Sequence, residues 1–383
     1  MQVNNKNCFM RKPHITAIGT AAPAHEIRQE IAPEWVTTSL ALPPSEARKV
    51  RLIYRATGIQ TRYSVVPDFS SMERRELFPL TENLEPFPTT ADRMAVYKRE
   101  APLLASQAIQ NMQLPADYFS KITHLITVSC TGMYAPGLDI DLVHQLGLPP
   151  HVQRTCIYFM GCYAAFNALK TAETICRAYP DAKVLIADIE LCSLHFQKIN
   201  TEDQLLANAI FADGAAGVLV ESVTPDKGLL SLEGFYSGLI PEGSSEMAWH
   251  IGDFGFEMKL SSYVPKLLGG KIKFFIEKIR EQLEIPSDAI DYFAFHPGGK
   301  KILTEIEAGL GISPHENRWA YDVMKRYGNM SSTTILFVLQ HLMETLRKEN
   351  YQQGAQVLAA AFGPGLTMES AMLHLQNLDF RHA

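Results

Sequence analysis

The sequence lacks the features that would place a protein in a membrane, on a nucleic acid or outside the cell. No apolar run reaches the roughly 18 residues that a membrane-spanning helix needs, and the N-terminal stretch has no long apolar run of the secretory kind. The net charge of −6 leaves no basic excess for nucleic acid. We therefore expect a cytoplasmic protein with no membrane span and no nucleic-acid partner.

Cysteine is sparse, and its spacing is uninformative by itself. The six cysteines include no Cys-x-x-Cys pair, so a zinc ribbon is not expected. In a reducing compartment they should stay free thiols, and most free cysteines are buried and inert. With 383 residues, 46% of them hydrophobic and 20% charged, the chain can form two domains or two halves of one large domain.

Short apolar runs rich in β-branched residues alternate with longer segments of helical periodicity, which predicts an α/β fold. Several of these runs are apolar throughout, as expected for strands covered on both faces. The predicted strands are His14–Thr20, His124–Ser129, Thr155–Met160, Lys183–Ile189, Ala215–Glu221, Tyr292–Phe295 and Val357–Phe362. The predicted helices are Ala164–Cys176, Val264–Leu283 and Ser332–Leu346.

The order of elements repeats along the chain. The repeated unit is a strand, a small-residue turn, a helix and a strand. In the first half these elements are HLITVS, MGC, YAAFNALKTAETI and KVLIADIE. In the second half they are DYFAFH, GNMS, STTILFVLQHLMETL and QVLAAAFG. Duplication would give two pseudo-equivalent halves, 1–225 and 226–383, divided at the turn-like TPDKG segment. An unduplicated α/β protein would alternate in the same way, and the sequence does not decide between the two. The charged stretch 68–98 is predicted to be a surface excursion.

Cys162 has the local context of a nucleophile. It follows a predicted strand and a glycine that allows a sharp turn, and it precedes a predicted helix. A thiol at a helix N-terminus meets the positive end of the helix dipole, which favours the reactive thiolate. A buried structural cysteine is the alternative, but the strand, turn and helix together favour a nucleophile.

His296 and Asn329 are candidates to assist this thiol. His296 ends a predicted strand and precedes Pro-Gly-Gly, at the kind of strand end where α/β proteins bind ligands. Asn329 occupies in the second half the place that Cys162 occupies in the first. Each has a simpler explanation: His296 as a turn histidine bonded to backbone, and Asn329 as a helix N-cap.

Five motifs in one order resemble the type III polyketide synthases, the chalcone synthase-like family: MGCYAAF, FHPGG, YGNMSS, IFADGAA and AFGPGLTMES. The resemblance runs from about Pro13 to Leu375. It implies a thiolase-like αβαβα fold, a homodimer, no metal, no organic cofactor and malonyl-CoA as extender. It also implies a catalytic triad of Cys162, His296 and Asn329.

The resemblance implies a mechanism as well. A Cys162 thiolate paired with a His296 imidazolium would take the starter from an acyl-CoA as a thioester. His296 and Asn329 would then stabilise the enolate formed when malonyl-CoA loses carbon dioxide. The resulting carbanion would extend the acyl chain by two carbons, and repeated rounds would end in cyclisation.

The resemblance also implies that several other residues line the substrate cavity. Phe211 matches one gatekeeper between the CoA tunnel and the cavity, and Met258 stands where the second gatekeeper is usually phenylalanine. Methionine is slimmer and more flexible than phenylalanine, so this gate should admit an alkyl chain; a core-filling role is the alternative. The remaining lining positions are Cys130, Thr131, Cys192, His195, Ser331 and Phe362.

Some of these residues depart from the plant pattern. Cys130 resembles bacterial members and is a second thiol, for which packing is the favoured role. Cys192 and the bulky His195 replace threonines. Ala135 replaces a methionine that reaches the partner's cavity.

Basic residues in EARKVRLIYRATGI and after the HPGG turn are candidates for binding the CoA phosphates. Each of these basic residues alone could simply belong to the solvent-exposed face of a helix. A cluster of them at a tunnel mouth, however, would attract an anionic substrate. They are Lys49, Arg51, Arg55 and Lys301.

These observations together predict a bacterial-type type III polyketide synthase that makes an alkylpyrone, an alkylresorcinol or a related phenolic from acyl-CoA and malonyl-CoA. One alternative is a ketoacyl-ACP synthase III-like enzyme that condenses once. The other is a non-catalytic acyl-CoA-binding protein, against which the joint presence of Cys162, His296 and Asn329 argues.

Overall fold

The computed structural model describes residues 11–71, 73–198, 201–286, 289–349 and 351–382. Strands and helices alternate along this part of the chain, as the sequence predicts. The strands are β1 Lys12–Ala21, β2 His25–Arg28, β3 Thr61–Ser64, β4 His124–Ser129, β5 Gln153–Tyr158, β6 Lys183–Leu191, β7 Asp213–Val223, β8 Leu230–Leu239, β9 Met247–Gly252, β10 Gly255–Leu260, β11 Ile290–Phe295, β12 Gln356–Gly363 and β13 Thr367–Leu375. The helices are α1 Ala32–Ser39, α2 Pro44–Ala56, α3 Thr90–Gln110, α4 Leu138–Leu146, α5 Ala164–Ala178, α6 Glu202–Ile210, α7 Val264–Gln282, α8 Lys300–Leu310, α9 Arg318–Tyr327 and α10 Thr333–Lys348.

The large sheet has nine strands in the order β11-β12-β13-β8-β1-β7-β6-β4-β5. Its two sides repeat one pairing pattern. β4 pairs parallel with β6, which is followed by antiparallel β7 and β1. β11 likewise pairs parallel with β12, which is followed by antiparallel β13 and β8. The repeat of element order in the sequence is therefore matched by a repeat of topology, and the two sides join along β1 and β8.

The helices form three layers around the two halves of the sheet. α3 covers the outer face of β1, β6 and β7, while α7 and α8 cover the outer face of the second half. α5 and α10 pack together between the halves, in one hydrophobic core with residues from both. The predicted αβαβα layering is therefore confirmed.

Helix α10 shows why the central layer forms where it does. Its apolar residues recur at helical spacing, and Ile335, Leu339 and Leu342 are at most 1% exposed. Burying each such side chain contributes about 1.5–3 kcal/mol to folding. Because this apolar face of α10 packs in the core between the two halves, the segment 329–332 just before the helix lies at their junction.

The predicted boundaries of some elements differ from those of the structure. The strand predicted as Thr155–Met160 is β5, and it ends at Tyr158 because Phe159 has φ +63° and turns the chain out of the sheet. The helix predicted to begin at Ser332 begins one residue later, and Ser332 is its N-cap. The proposed division of the chain at residue 225 falls in the single turn Pro225–Lys227 between β7 and β8.

The prediction of a surface excursion over 68–98 holds for part of the segment, since most residues of 73–86 are exposed, but not for its aromatic residues. Asp68 and Phe78 are fully buried, and Phe87 is almost so. Phe78 packs edge-on against Trp35 and Phe196, so the segment closes a small aromatic core under α1. The high charge of the segment masked the few aromatic residues that anchor it. Within the described residues, no helix has both the length and the apolar composition needed to cross a bilayer.

Candidate active site

The structure brings Cys162, His296 and Asn329 to one cavity between the two halves. This catalytic cavity has about 330 Å³ of empty space and a largely apolar lining. The three polar side chains come from three separate parts of the chain. The rest of the lining is Phe211, Met247, Met258, Leu260, Gly298, Ile302 and Phe362.

A glycine elbow presents Cys162 to the cavity. Gly161 has φ +93°, and a Cβ at this position would lie 2.2 Å from Cδ of Pro364. Its backbone N–H donates to Sγ of Cys130 at 2.9 Å, which fixes the turn. Helix α5 begins two residues after the nucleophile, at Ala164. The turn that the sequence predicts is therefore present, and only glycine fits it.

Burial acts against the charged forms of both Cys162 and His296. It raises the pKa of Cys162 to about 12, although a hydrogen bond from Ser331 lowers that pKa and the charge of Glu190 raises it. Burial lowers the pKa of His296 to about 3. Neither ring nitrogen of His296 has a hydrogen-bond partner within the described residues. Burial therefore favours the neutral form of each group taken alone, and the pairing of a Cys162 thiolate with a His296 imidazolium stays a prediction.

Asn329 is held by its backbone and by its side chain. Its N–H donates to Ile210 O, and its carbonyl accepts from Ala212 N–H, both at 2.9 Å. Its Oδ1 accepts from Ser331 N–H at 2.9 Å, and its Nδ2 donates to Gly298 O at 3.3 Å. The alternative role as the N-cap of α10 is wrong, because Ser332 occupies that position. The second N–H of the amide can be offered to a ligand in the cavity.

Phe211 and Met258 stand between the catalytic cavity and a second cavity, since both residues line both. This second cavity lies under α1, α2 and α6. Large aromatic side chains form part of its wall: Trp35, Phe69, Phe196, Trp249 and Phe256. Arg62, Ser193, His195, Gln204 and Asn208 add polar groups to the lining. The sequence-predicted Cys192 and His195 line it as well, so the pair Phe211 and Met258 separates the triad from an apolar chamber.

His195 is a fixed, uncharged wall of the second cavity. Its Nε2 donates to Thr131 O at 2.7 Å, and its Nδ1 accepts from Phe256 N–H at 2.9 Å. Its ring stacks on that of Phe256 at 4.1 Å. Burial lowers the pKa of His195 to about 3. The histidine therefore narrows the chamber without adding a charge to it.

Cys130 and Thr131 line neither cavity and lie behind the nucleophile. The Cys130 sulfur holds Gly161, and the Thr131 hydroxyl donates to Oε2 of Glu190 at 2.8 Å. Burial raises the pKa of Cys130 well above its ordinary value. This packing role, which the sequence analysis favoured over a second reactive thiol, accounts for its contacts. Ser331 also lies here, and its hydroxyl lowers the pKa of both Cys162 and Glu190.

Two of the candidate CoA-binding residues are engaged in ion pairs. Arg51 Nε lies 2.8 Å from Glu34, and Lys49 Nζ lies 3.5 Å from Glu202. Arg55 lines an open surface cleft beside α2. Lys301 lies in the first turn of α8, directly before a residue that lines the catalytic cavity.

Three functional features escaped the sequence analysis. Trp249 donates from Nε1 to Cys130 O at 2.8 Å and walls the second cavity. Arg62 donates to Asn208 O and Phe211 O and so fixes the segment that carries the gate. Asp188 and Glu190 form a buried acidic pair under the nucleophile. Only the pair left a signal in the sequence, as two acids in the otherwise apolar strand KVLIADIEL.

A buried thiol, a histidine with two unused nitrogens and a positioned amide, between two halves of an αβαβα fold, define a cysteine-dependent acyltransferase of the condensing type. Comparison with known families agrees. Residues 1–224 match the N-terminal domain, and residues 233–376 the C-terminal domain, of the chalcone and stilbene synthases. The chain belongs to this family, and it is a type III polyketide synthase.

Individual relatives support the assignment. The probable polyketide synthase 1 of Dictyostelium discoideum is 30% identical over 97% of this chain, which spans 12% of that protein. The alpha-pyrone synthesis polyketide synthase-like Pks18 of Mycobacterium tuberculosis is 28% identical over 94% of this chain and 91% of its own length.

Two crystal structures of polyketide synthases share the fold. PKS-I from the brown alga Ectocarpus siliculosus superposes with a TM-score of 0.88 at 27% identity, over 96% of this chain and 99% of that one. The C-terminal type III polyketide synthase domain of Steely1, a type I/III hybrid from Dictyostelium, superposes with a TM-score of 0.84 at 28% identity. The match covers 95% of this chain and 99% of that one. These neighbours favour neither a single-condensation enzyme nor a non-catalytic protein.

Proposed function

We propose that this polyketide synthase loads an aliphatic acyl-CoA starter onto Cys162 and extends it with malonyl-CoA to an alkylpyrone, an alkylresorcinol or a related phenolic. The observation that carries the choice of starter is the apolar chamber behind Phe211 and Met258. A flexible chain can pass beside Met258 and bury its methylenes there, each contributing about 0.8 kcal/mol. The name of the relative Pks18 refers to alpha-pyrone synthesis, which supports this product class.

The proposed chemistry uses the three side chains of the catalytic cavity. The Cys162 sulfur attacks the starter thioester while His296 takes its proton, and CoA leaves with that proton. Malonyl-CoA then loses carbon dioxide, and N–H groups of His296 and Asn329 stabilise the enolate oxygen. The carbanion attacks the acyl-Cys162 carbonyl and expels the thiolate. Because decarboxylation itself generates the nucleophile, we propose that the reaction needs neither a metal nor an organic cofactor.

Arg55 and Lys301 are the proposed contacts for the CoA phosphates. Lys49 and Arg51 are weaker candidates, because Glu202 and Glu34 already neutralise them. We place the enzyme in the cytoplasm, where the free thiols of its described cysteines would persist.

Replacing Met258 by phenylalanine should change the starter preference. The ring would fill the passage between the two cavities, so kcat/KM for lauroyl- and palmitoyl-CoA should fall at least about tenfold more than for acetyl-CoA, a difference that corresponds to roughly two lost methylenes. The measurement is kcat/KM for acetyl-, hexanoyl-, lauroyl- and palmitoyl-CoA in both forms. In the wild type, kcat/KM should rise with chain length until the chamber is full.

Met247→Phe is the matched control, since Met247 lines the catalytic cavity alone. It should affect all starters to a similar degree. A wild type that strongly prefers acetyl- or malonyl-CoA, with no selective loss in Met258→Phe, would overturn the aliphatic assignment but leave the polyketide synthase activity intact.

We also propose a homodimer, formed along the free edge of β5. Among the residues that the structure describes, β5 is the last strand of the sheet and pairs with β4 alone. Its residues Gln153–Cys156 are exposed, and Met133 and Met160 nearby are 40% and 37% exposed. An open edge bordered by apolar side chains invites pairing with another strand, and a second copy of this edge satisfies that requirement.

A charge on this edge should weaken the dimer. Cys156→Glu would place like charges near each other across a twofold interface, so light scattering after size exclusion should show a monomer fraction at concentrations where the wild type is dimeric. Phe274→Glu, at a position 60% exposed on α7, should leave the mass unchanged. A monomeric wild type, or a Cys156→Glu protein as dimeric as the wild type, contradicts this interface.

A further inference from the structure

The carbonyl groups at the end of helix α6 are bonded by groups from outside the helix. A helix leaves its last carbonyls without partners of its own, and α6 ends at Ile210, directly before the gate residue Phe211. Arg62 donates from Nη1 to Asn208 O at 2.9 Å and to Phe211 O at 2.6 Å. Asn329 N–H donates to Ile210 O at 2.9 Å. The gate residue and the backbone of the proposed oxyanion donor are therefore held at one helix end.

Gln29 completes this arrangement and fixes the direction of the guanidinium. Its Nε2 donates to Ala209 O at 2.7 Å, and its Oε1 accepts from Arg62 Nε at 2.9 Å. Both side chains are buried. The four successive carbonyls of 208–211 are thus bonded by Arg62, Gln29 or Asn329, and Arg62 bonds the first and the last of them. The negative end of the helix dipole also favours a cation at this position.

The aliphatic part of Arg62 packs against the residue before Asn329. Gly328 has φ +72°, and a Cβ at this position would lie 2.8 Å from Cγ of Arg62 and 3.0 Å from its Cδ. A side chain on residue 328 would therefore displace Arg62. Phe211 and Asn329 form an isolated bridge, in which Ala212 N–H donates to Asn329 O at 2.9 Å. A single side chain thus contacts both the segment that carries Phe211 and the segment that carries Asn329.

A purely space-filling role does not explain a charged side chain at this place. The acceptors of the three Arg62 hydrogen bonds are one side-chain amide oxygen and two backbone carbonyls, none of them a carboxylate. Burying a charge is costly, so a residue that only filled space could be apolar. The guanidinium adds a planar fork, which fixes several acceptors relative to one another.

We propose that Arg62 is a positioning residue, which holds the amide of Asn329 in place for malonyl-CoA decarboxylation by tying its segment to the gate residue Phe211. Arg62 touches no reacting atom and acts through the backbone of 208–211 and 328–329. The catalytic part of this inference rests on the proposed role of Asn329, whereas the link between the two segments does not.

Arg62→Met keeps an aliphatic stem against Gly328 but removes every donor. We expect kcat for malonyl-CoA decarboxylation to fall about 10–100-fold, since a small misplacement of a catalytic group can cost this much. KM for malonyl-CoA should stay near the wild-type value, because the proposed CoA contacts Arg55 and Lys301 are unchanged. Carbon dioxide release measures both constants. An unchanged kcat, or a loss confined to KM, overturns the proposal.

Arg93→Met is the matched control. Arg93 is likewise a buried arginine that donates to backbone carbonyls, those of Pro88, Leu194 and Phe196. Its replacement should lower Tm about as much as Arg62→Met does, but it should leave kcat for decarboxylation near that of the wild type. Equal losses of kcat in the two variants would reduce the effect of Arg62 to general destabilisation and contradict the proposal.

A double-mutant cycle separates positioning from an independent effect. If Arg62 acts through Asn329, Arg62→Met should cost less than about twofold in kcat when residue 329 is already alanine, because changes that act on one group are not additive. Losses that multiply would show that Arg62 acts by another route. Arg62→Lys keeps the charge but not the fork, so its loss should be intermediate. Arg62→Lys carries the same cycle should Arg62→Met fail to fold.

Hydrogen–deuterium exchange of the full-length protein tests the link without any substrate. Peptides that contain 208–212 and 328–330 should exchange faster in Arg62→Met than in the wild type, because both segments lose their common support. Arg93→Met should leave these peptides unchanged. Unaltered protection of either segment in Arg62→Met contradicts the link. A wild type that releases no carbon dioxide from malonyl-CoA would instead refute the proposed function, so the two failures are distinguishable.

Discussion

Cys162→Ala is expected to abolish both the acyl adduct and the polyketide product, with a loss of the order of 10⁴–10⁶ in kcat, because it would remove the proposed covalent nucleophile. The substitution deletes one sulfur atom at the wall of a cavity, so the fold should persist. The measurements are the intact mass after incubation with an acyl-CoA and the product formed after addition of malonyl-CoA. The wild type should gain one acyl group, and the variant none.

Cys156→Ala is the control for this experiment, because it removes an exposed thiol from the same chain. It should retain the adduct on Cys162. An acylated Cys162→Ala protein that still made product would transfer the nucleophilic role to another thiol, with Cys130 the first to test.

The second large effect concerns Asn329, whose amide we propose stabilises the enolate. Asn329→Ala should lose malonyl-CoA decarboxylation by about 10²–10³-fold, which is the usual effect of deleting one oxyanion donor, while still accepting an acyl group on Cys162. His296→Gln should lose acylation but keep part of the decarboxylation, since a glutamine amide can still donate a hydrogen bond. Carbon dioxide release and adduct mass measure the two steps separately.

Asn329 also shapes its own turn, through the bond from Ser331 N–H to Oδ1. Asn329→Asp keeps this acceptor but removes the donor. If the amide donor matters, the Asn329→Asp variant should lose at least as much decarboxylation activity as Asn329→Ala. The Tm of Asn329→Asp should nevertheless stay closer to that of the wild type. Decarboxylation within a few-fold of the wild type in Asn329→Ala would leave this residue a purely structural one.

Part of the active site could be predicted because short contiguous motifs carry its reactive side chains. The strand, glycine and helix around Cys162 specify an elbow by their backbone requirements alone. The same applies to His296, whose strand end and Pro-Gly-Gly turn are contiguous in the chain. The gate residues Phe211 and Met258 were found through resemblance, and the structure places both beside the triad.

Other features depend on residues that are distant in the chain. The ion pair between Arg51 and Glu34 joins side chains on two helices. In the sequence alone, Arg51 is a candidate for binding the CoA phosphates because this partner cannot be seen. The wall formed by Trp249 needs the hairpin β9–β10 to fold over Cys130. The charged segment 68–98 reads as surface because sequence averaging conceals the burial of a few aromatic side chains.

The sequence by itself determined the α/β class, the repeated order of elements and the glycine elbow at Cys162, because hydrophobic period and glycine turns act over a few neighbouring residues. The roles of His296 and Asn329 were implied by the family resemblance. Only the tertiary structure decided which residues form the chamber behind the gate, the burial of Cys162 and His296, and the hydrogen bonds that Asp188 and Glu190 receive. Volume, desolvation and shared hydrogen bonds arise where distant segments pack together, and no local pattern encodes them.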